Sequence, residues 1–223
     1  MSFSRGPQIV TNGLILYLDF ANTKSYPATG SIVFDRTVNG YNGVLTNGPT
    51  FSSNNFGYLG FDGINDMVVT QLSTLSTSNT WDIWVNRTSN ANAFNMMMGM
   101  FLPYFAFNSS NQFFFSNSVG ASQQSIATPG TYSDNTWYHV TFVSDYNGST
   151  TTMKIYVNSV FSTQGVFTGQ QVSTTTNSFR LGQWNTDNSY SFNGKIGSAK
   201  IYNRVLTQAE ITQNFDAIKS RYL

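Results

Sequence analysis

The segment LILYLDF, residues 14–20, alternates large apolar side chains with a mixed set. Successive side chains of a β-strand point to opposite faces, so this period of two predicts a strand with one buried face. Its apolar face is made by Leu14, Leu16, Leu18 and Phe20. The same period recurs in TWDIWV (80–85), WYHVTFV (137–143) and MKIYV (153–157).

Turn-forming residues separate these strands. Asn-Gly pairs in these turn segments stand at 39–40, 42–43, 47–48, 147–148 and 193–194, and Asn-Gly is a strong hairpin signal because both residues tolerate positive φ. Many short strands without interleaved helices predict an all-β fold, a sandwich of two antiparallel sheets. The polar stretch 117–135 is predicted to be a surface loop. We expect residues 1–223 to form a single domain.

One helix is predicted, at 207–222. Thr207 and Glu210 have the spacing of a capping box, in which each side chain satisfies a backbone N–H of the first turn. An apolar stripe follows at helical spacing, formed by Ile211, Phe215, Ile218 and Tyr222. This short C-terminal α-helix is expected to pack on the sandwich or against a partner. Residues 1–12 are expected to form an N-terminal arm.

Composition excludes several classes of function. Charged residues make up 9% of the chain and the net charge is +1, so the basic stripe that neutralises phosphates is missing and we expect no nucleic-acid partner. Lys195, Lys200 and Arg204 alternate with apolar residues, which predicts a strand with one solvent-exposed face. The apolar run LILYL is far shorter than the roughly 20 residues of a membrane span, so no membrane insertion is expected. Cysteine is absent, which removes disulfides and thiolate sites.

Six segments, taken in order, resemble the laminin G-like branch of the concanavalin A-like lectin/glucanase superfamily. They cover nearly the whole chain and lie at 13–27, 35–68, 135–143, 153–159, 179–184 and 192–211. The resemblance implies a jelly-roll sandwich of two large curved sheets closed by the helix. It also implies sugar or protein binding more often than catalysis. The two ends of the chain are similar to versions found in tailed-phage structural proteins.

The residues argue against hydrolysis. Retaining glycosidases place two carboxyl groups about 5–5.5 Å apart, and the endoglucanases that the resemblance implies use two Glu on one strand. Here Glu210 is the sole Glu and is assigned to the helix cap. His139, the sole His, lies inside a predicted strand and is interpreted as structural. We therefore expect a non-enzymatic protein, with a glycoside hydrolase as the least favoured alternative.

The stretch FDGINDMVV, residues 61–69, is a candidate metal site. Asp62, Asn65 and Asp66 offer the oxygen atoms that Ca²⁺ prefers, and relatives implied by the resemblance bind calcium. Asp and Asn are also ordinary turn residues, because they accept hydrogen bonds from their own backbone. Both interpretations, a calcium site and a structural turn, stay open.

A candidate sugar site lies in the predicted loop WNTDNSY, which combines aromatic rings and amides. Its residues are Trp184, Asn185, Asp187, Asn188 and Tyr190. A loop tryptophan is either a stacking platform or a packed anchor. Tyr104 and Phe105 are a second choice.

The expected role is a binding or structural module on a virion surface, as a capsid decoration or fibre protein. Its partners would be a glycan or a capsid or tail protein, and assembly would favour a homo-oligomer, with a trimer expected. The alternative is a secreted or cell-surface lectin-like domain.

Overall fold

The computed structural model describes residues 7–89, 93–171, 177–184 and 190–223. The strands of this part of the chain are β1 (Leu14–Asp19), β2 (Ile32–Val33), β3 (Gly43–Thr46), β4 (Thr50–Ser52), β5 (Tyr58–Asp62), β6 (Met67–Val69), β7 (Asn79–Arg87), β8 (Phe94–Gly99), β9 (Tyr104–Asn108), β10 (Phe113–Val119), β11 (Ser122–Ala127), β12 (Trp137–Tyr146), β13 (Thr150–Val157), β14 (Val160–Thr168), β15 (Arg180–Leu181) and β16 (Asn193–Tyr202). One α-helix, α1 (Gln208–Ile218), follows them, and short 3-10 turns span Asn54–Phe56 and Lys219–Arg221.

These strands form two antiparallel sheets. Sheet 1 has the order β14-β13-β12-β7-β16-β5-β4, and sheet 2 has the order β11-β10-β9-β8-β15-β6-β3-β2. In sheet 1, β16 pairs with β7 along one side, while β5 and β1 share its other side at residues 193–196 and 198–202. The predicted all-β sandwich with a short C-terminal α-helix is confirmed.

The main core lies between the two sheets. Trp81, Ile83 and Val85 of β7 are fully buried there, because alternate side chains of a strand share one face. A register shift lies between Leu14 and Leu16 in β1. Leu16 consequently joins the main core, whereas Leu14 packs with the cluster around the helix. The prediction that both lie on one face was therefore wrong, because a bulge breaks the period of two.

The helix covers the outer face of sheet 1. Thr207 accepts a hydrogen bond from the Glu210 backbone N–H and the Glu210 side chain accepts one from the Thr207 backbone N–H, which confirms the predicted capping box. Phe215 stacks on Trp84 of β7, with ring centroids 5.7 Å apart. The last turn is a 3-10 turn, so α1 ends at Ile218, four residues before the predicted end at 222.

Two further expectations are corrected. Lys200 is fully buried beneath the helix rather than exposed to solvent. The stretch 117–135 is not all loop, since it contains the end of β10 and the whole of β11. The sequence of β11, SQQSIA, shows little apolar alternation because the strand lies at the edge of sheet 2 and none of its residues is buried.

Candidate functional site

An aromatic pocket opens on the outer face of sheet 2. Its floor is made by Met96 of β8 and Tyr104 of β9, which are both buried. These residues face outward because their neighbours Met97 and Phe105 point into the main core. The pocket has a volume of about 190 Å³ and is completed by Phe94, Phe101, Leu102, Gln123, Trp184 and Tyr190. We call it the aromatic pocket.

The ring of Trp184 is the centre of this pocket. Phe101 stacks on it with centroids 4.9 Å apart and planes at 16°, and Tyr190 meets it edge-on at 5.1 Å and 84°. Tyr104 forms a third contact at 5.9 Å and 61°. The indole Nε1 donates to the Phe101 backbone oxygen at 2.8 Å, so the polar atom of Trp184 is already used. What the indole still offers is its apolar surface.

Phe101 is held in a backbone conformation that residues other than glycine rarely adopt. Its φ is 94°, which costs free energy in a non-glycine residue. Two contacts to Trp184, the ring stack and the hydrogen bond to the Phe101 backbone oxygen, hold it there. Phe101 is still 42% exposed, although it lines the pocket. The connection between β8 and β9 therefore presents an aromatic ring at a fixed position.

Few polar groups reach into the pocket, and they lie on one side. The Gln123 amide donates to the Tyr104 hydroxyl at 3.3 Å and to Ser116 Oγ at 2.8 Å. Burial raises the pKa of Tyr104, so its hydroxyl stays a neutral donor and acceptor. None of the described residues that line the pocket is an Asp, Glu, Lys, Arg or His. The pocket thus combines ring surfaces with neutral hydrogen-bonding groups.

The structure brings together part of the predicted sugar site. Trp184 and Tyr190 line the aromatic pocket with Tyr104, the second choice, whereas Phe105 is fully buried in the main core. Asn185, Asp187 and Asn188 lie outside the described residues. Sequence reasoning missed Phe94, Phe101 and Gln123. Phe101 stands three residues before Tyr104 in the stretch FLPYFAF (101–107), and this proximity was the available signal.

The candidate metal residues form a hydrogen-bonded turn. Asp62 Oδ1 accepts from the backbone N–H of Ile64 at 2.8 Å and of Asn65 at 3.4 Å. Asp66 Oδ2 accepts from the backbone N–H of Asp62 at 3.0 Å. The Asn65 backbone oxygen accepts from the Asn47 side chain at 2.9 Å. One oxygen of each carboxylate is therefore engaged in the turn, and the calcium interpretation stays a prediction.

A cluster of fully buried ionisable side chains lies elsewhere, under α1. Asp82 Oδ2 lies 2.8 Å from His139 Nε2, and Asp82 Oδ1 lies 2.6 Å from Lys200 Nζ. Burial alone would raise the pKa of Asp82, but His139 and Lys200 together hold it well below its ordinary range. All three side chains are inaccessible to solvent, so no substrate reaches them. This cluster holds the sheet and the helix together.

A family model for a laminin G-type domain, described as the concanavalin A-like lectin/glucanases superfamily, matches residues 62–212. The comparison with curated proteins gives no match. Among the described residues, no helix is long and apolar enough to cross a membrane.

Solved structures share the fold at low sequence identity. Domain 4 of AbnA, a GH43 extracellular arabinanase from Geobacillus stearothermophilus solved with arabinotriose, is 17% identical with a TM-score of 0.68, over 91% of this chain and 98% of that one. The receptor-binding domain of botulinum neurotoxin type G is 16% identical with a TM-score of 0.66, over 92% of this chain. This chain spans about half of that domain, 51% of its length.

The Trypanosoma rangeli sialidase solved with the inhibitor DANA is also similar, with 15% identity and a TM-score of 0.65 over 36% of its length. At these identities the likeness concerns the fold. The family model, by contrast, matches more than half of the residues, and the two-sheet sandwich with its closing helix agrees with it. The chain belongs to the concanavalin A-like lectin/glucanases superfamily.

Proposed function

We propose that this protein is a non-catalytic binding module that takes a neutral glycan unit into the aromatic pocket. The observation that carries the proposal is the cluster of Trp184, Tyr190, Phe101 and Tyr104 around one pocket on the outer face of sheet 2. Aromatic rings pack against the apolar face of a sugar ring, and nearby hydroxyl and amide groups bind its hydroxyls. Tyr104 and Gln123 supply such groups.

The size and polarity of the pocket limit the ligand. A volume of about 190 Å³ is smaller than the roughly 300–1,000 Å³ of sites for drug-sized ligands, so one sugar ring is the unit it accepts. A charged group would be desolvated there without an ionic partner among the described residues that line the pocket. We therefore expect neutral sugars to bind better than sialic or uronic acids.

The domain of the arabinanase, solved with arabinotriose, supports a sugar ligand, and the neurotoxin domain supports a role in receptor binding. A hydrolytic function finds less support. It would require two carboxyl groups beside the bound sugar, and the described residues that line the pocket include none. The similar sialidase is matched over 36% of its length only.

The location that we propose is a virion surface, with an extracellular lectin-like role as the alternative. The support is compositional, since 9% charged residues leave hydroxyl and amide groups to solvate the surface. Capsid and tail genes beside the gene for this chain would favour the virion, and secretion or glycan-metabolism genes would favour the alternative.

A glycan array of neutral and acidic oligosaccharides, followed by titration calorimetry of the hits, tests the function. We expect neutral hits whose affinity falls at least about fivefold in Trp184→Ala, since stacking on a single aromatic ring contributes about 1 kcal/mol or more. Phe56→Ala is the matched control, because Phe56 is 71% exposed and lies outside the pocket. Tyr104→Phe removes only the hydroxyl and should weaken binding without unfolding the pocket. No hit, or equal binding by all variants, would overturn the proposal.

A further inference from the structure

The outer strand β14 leaves one edge of sheet 1 without a partner among the described residues. Its nine residues, VFSTQGVFT, contain no charge and no proline. Charges, prolines and bulges are the usual devices that keep exposed strand edges from pairing with other chains, and the bulge of β14, at Ser162, leaves residues 163–168 in regular pairing. The opposite edge of sheet 1 is β4, with only three residues, and sheet 2 ends in β2, with two residues, and in β11, with six. Of these four strands, β14 is the longest, with nine residues, and Val160, Phe161 and Val166 of β14 are exposed large apolar residues.

The exposed side chains of β14 are unusually apolar. Val160 is 68% exposed, Phe161 48% and Val166 58%. Phe161 packs edge-on against Tyr156 of β13 at 5.6 Å, and Tyr156 contacts the cluster on the helix side of sheet 1. Phe161 therefore lies on the outer face of sheet 1.

The register places Val166 on the same face. A bulge at Ser162 interrupts the pairing with β13, after which residues 163–168 pair regularly. In this regular part Phe167 packs against the main core, so Gln164 and Val166 point outward. The outer face of this edge therefore carries Phe161, Gln164 and Val166, with one apolar residue on each side of the Gln164 amide.

We propose that two copies of this chain associate through their β14 strands, in antiparallel pairing about a two-fold axis at Gln164. A two-fold axis perpendicular to a sheet keeps each side chain on its own face of the sheet. Directly paired residues of antiparallel strands point to the same face, so the axis must lie between the two copies of one residue. With the axis at Gln164, Val166 lies opposite Ser162 and beside Phe161 of the second copy. Each apolar contact then occurs twice. An axis at Val166 would leave Phe161 uncovered.

The charges near this edge permit the pairing. Lys154 pairs with Gln164 in the register of β13 and β14, and its Nζ lies 3.6 Å from Asp145 Oδ2. Two copies related at Gln164 therefore bring neutralised ion pairs, not bare like charges, toward each other. One strand pair covers less than the roughly 1,200 Å² of a standard stable interface. We accordingly expect a reversible dimer whose fraction rises with concentration.

Sedimentation equilibrium over a concentration series tests the association. The wild type should change from monomer to dimer with no larger species, because pairing about a two-fold axis closes on itself. Val166→Lys should weaken association at least about tenfold, since a charge would be buried against Phe161 of the second copy. The matched control is Val38→Lys, because Val38 is 102% exposed and lies outside β14. A species that stays monomeric at all concentrations, or open-ended growth, would overturn the proposal.

A cross-link tests the register independently. The chain has no cysteine, so Gln164→Cys introduces the sole thiol. Residues facing each other in an antiparallel pair have Cα atoms about 4.5–5.5 Å apart, which falls within the range that a disulfide bridges. Mild oxidation should convert Gln164→Cys largely to a covalent dimer and leave Val38→Cys mostly monomeric. A dimer in which Gln164→Cys cross-links no better than Val38→Cys uses another surface and refutes this one.

Discussion

The carboxylate of Asp82 and the ammonium group of Lys200 form an ion pair that has no contact with solvent. Their atoms Oδ1 and Nζ are 2.6 Å apart, and both side chains are 0% exposed. The pair joins neighbouring strands, because Asp82 and Lys200 face each other in the register of β7 and β16. The side chain of Asn214 in α1 reaches the same carboxylate at 3.4 Å. The helix therefore covers a charged cluster as well as apolar rings.

Lys200→Met should destabilise the protein strongly. Removing one member of a buried ion pair costs about 3–5 kcal/mol, and because Asp82 keeps His139 at 2.8 Å we expect a loss at the lower end of this range. Urea denaturation measures the loss in the free energy of unfolding. Lys219→Met is the matched control, because the Lys219–Asp216 pair is exposed, at 48% and 37%, and such pairs contribute about 0–1 kcal/mol. Equal losses in the two variants would contradict the buried role of Lys200.

The burial of Lys200 was not readable from the sequence. Lysine at alternating positions predicts a solvent-exposed face, and that would hold if nothing covered sheet 1. The capping box and apolar stripe did predict α1, but a local pattern does not say which face a helix covers. The side chains of Asp82, His139 and Lys200 all meet beneath it.

The aromatic pocket shows the same limit. Trp184 and Tyr190 were predicted as a pair because they stand six residues apart in a loop with polar side chains. Phe94 and Phe101 come from β8 and its connection to β9, more than 80 residues earlier. Only the pairing of β8 with β15 brings these segments together. The alternation of apolar and polar residues identified the strands, whereas the order of the strands within the sheets determines which residues line the aromatic pocket.

Acid should remove the stability that Glu210 contributes. The hydrogen bonds from Arg204, at 2.9 and 2.6 Å, lower the pKa of Glu210 from 4.5 to about 2. Because the folded-state pKa is lowered, this contribution is fully present above pH 4.5 and is lost as the pH falls toward 2.

Glu210→Gln isolates this effect, since Gln also completes a capping box. The variant should be about 1–2 kcal/mol less stable than the wild type at pH 7, given partial exposure of the pair, and equally stable near pH 2. Urea denaturation at a series of pH values measures this gap, the difference in the free energy of unfolding between the wild type and Glu210→Gln. A gap that stays constant with pH would count against the ion pair.

Ligand binding in the aromatic pocket should be nearly independent of salt. No ionisable side chain is among its described lining residues, so screening has no charge pair to weaken. Between about 0.05 and 0.5 M NaCl, where the Debye length falls severalfold, the dissociation constant should change less than about twofold. Titration calorimetry at both salt concentrations checks this. A steep loss of affinity with salt would indicate that charges outside the pocket bind the ligand.

Asp66 provides the test of the turn formed by residues 62–66. It is buried, with 4% exposure, and burial raises its pKa. A raised carboxyl pKa means that ionisation opposes folding, so this carboxylate costs stability as the pH rises through its folded-state pKa. Asp66→Asn keeps an oxygen acceptor for the Asp62 N–H and removes the charge. Its free energy of unfolding at pH 7 should equal or exceed that of the wild type.

Asp66→Ala removes the acceptor as well and should be less stable by about 1 kcal/mol, because the Asp62 backbone N–H loses its partner. Thermal melting in about 1–10 mM calcium, the range of weak extracellular sites, completes the test. If the residues serve the turn alone, calcium leaves the melting temperature of the wild type unchanged. A calcium-dependent rise in the wild type that Asp66→Asn abolishes would instead establish a metal site at Asp62, Asn65 and Asp66, since only the carboxylate supplies the negative charge that Ca²⁺ requires.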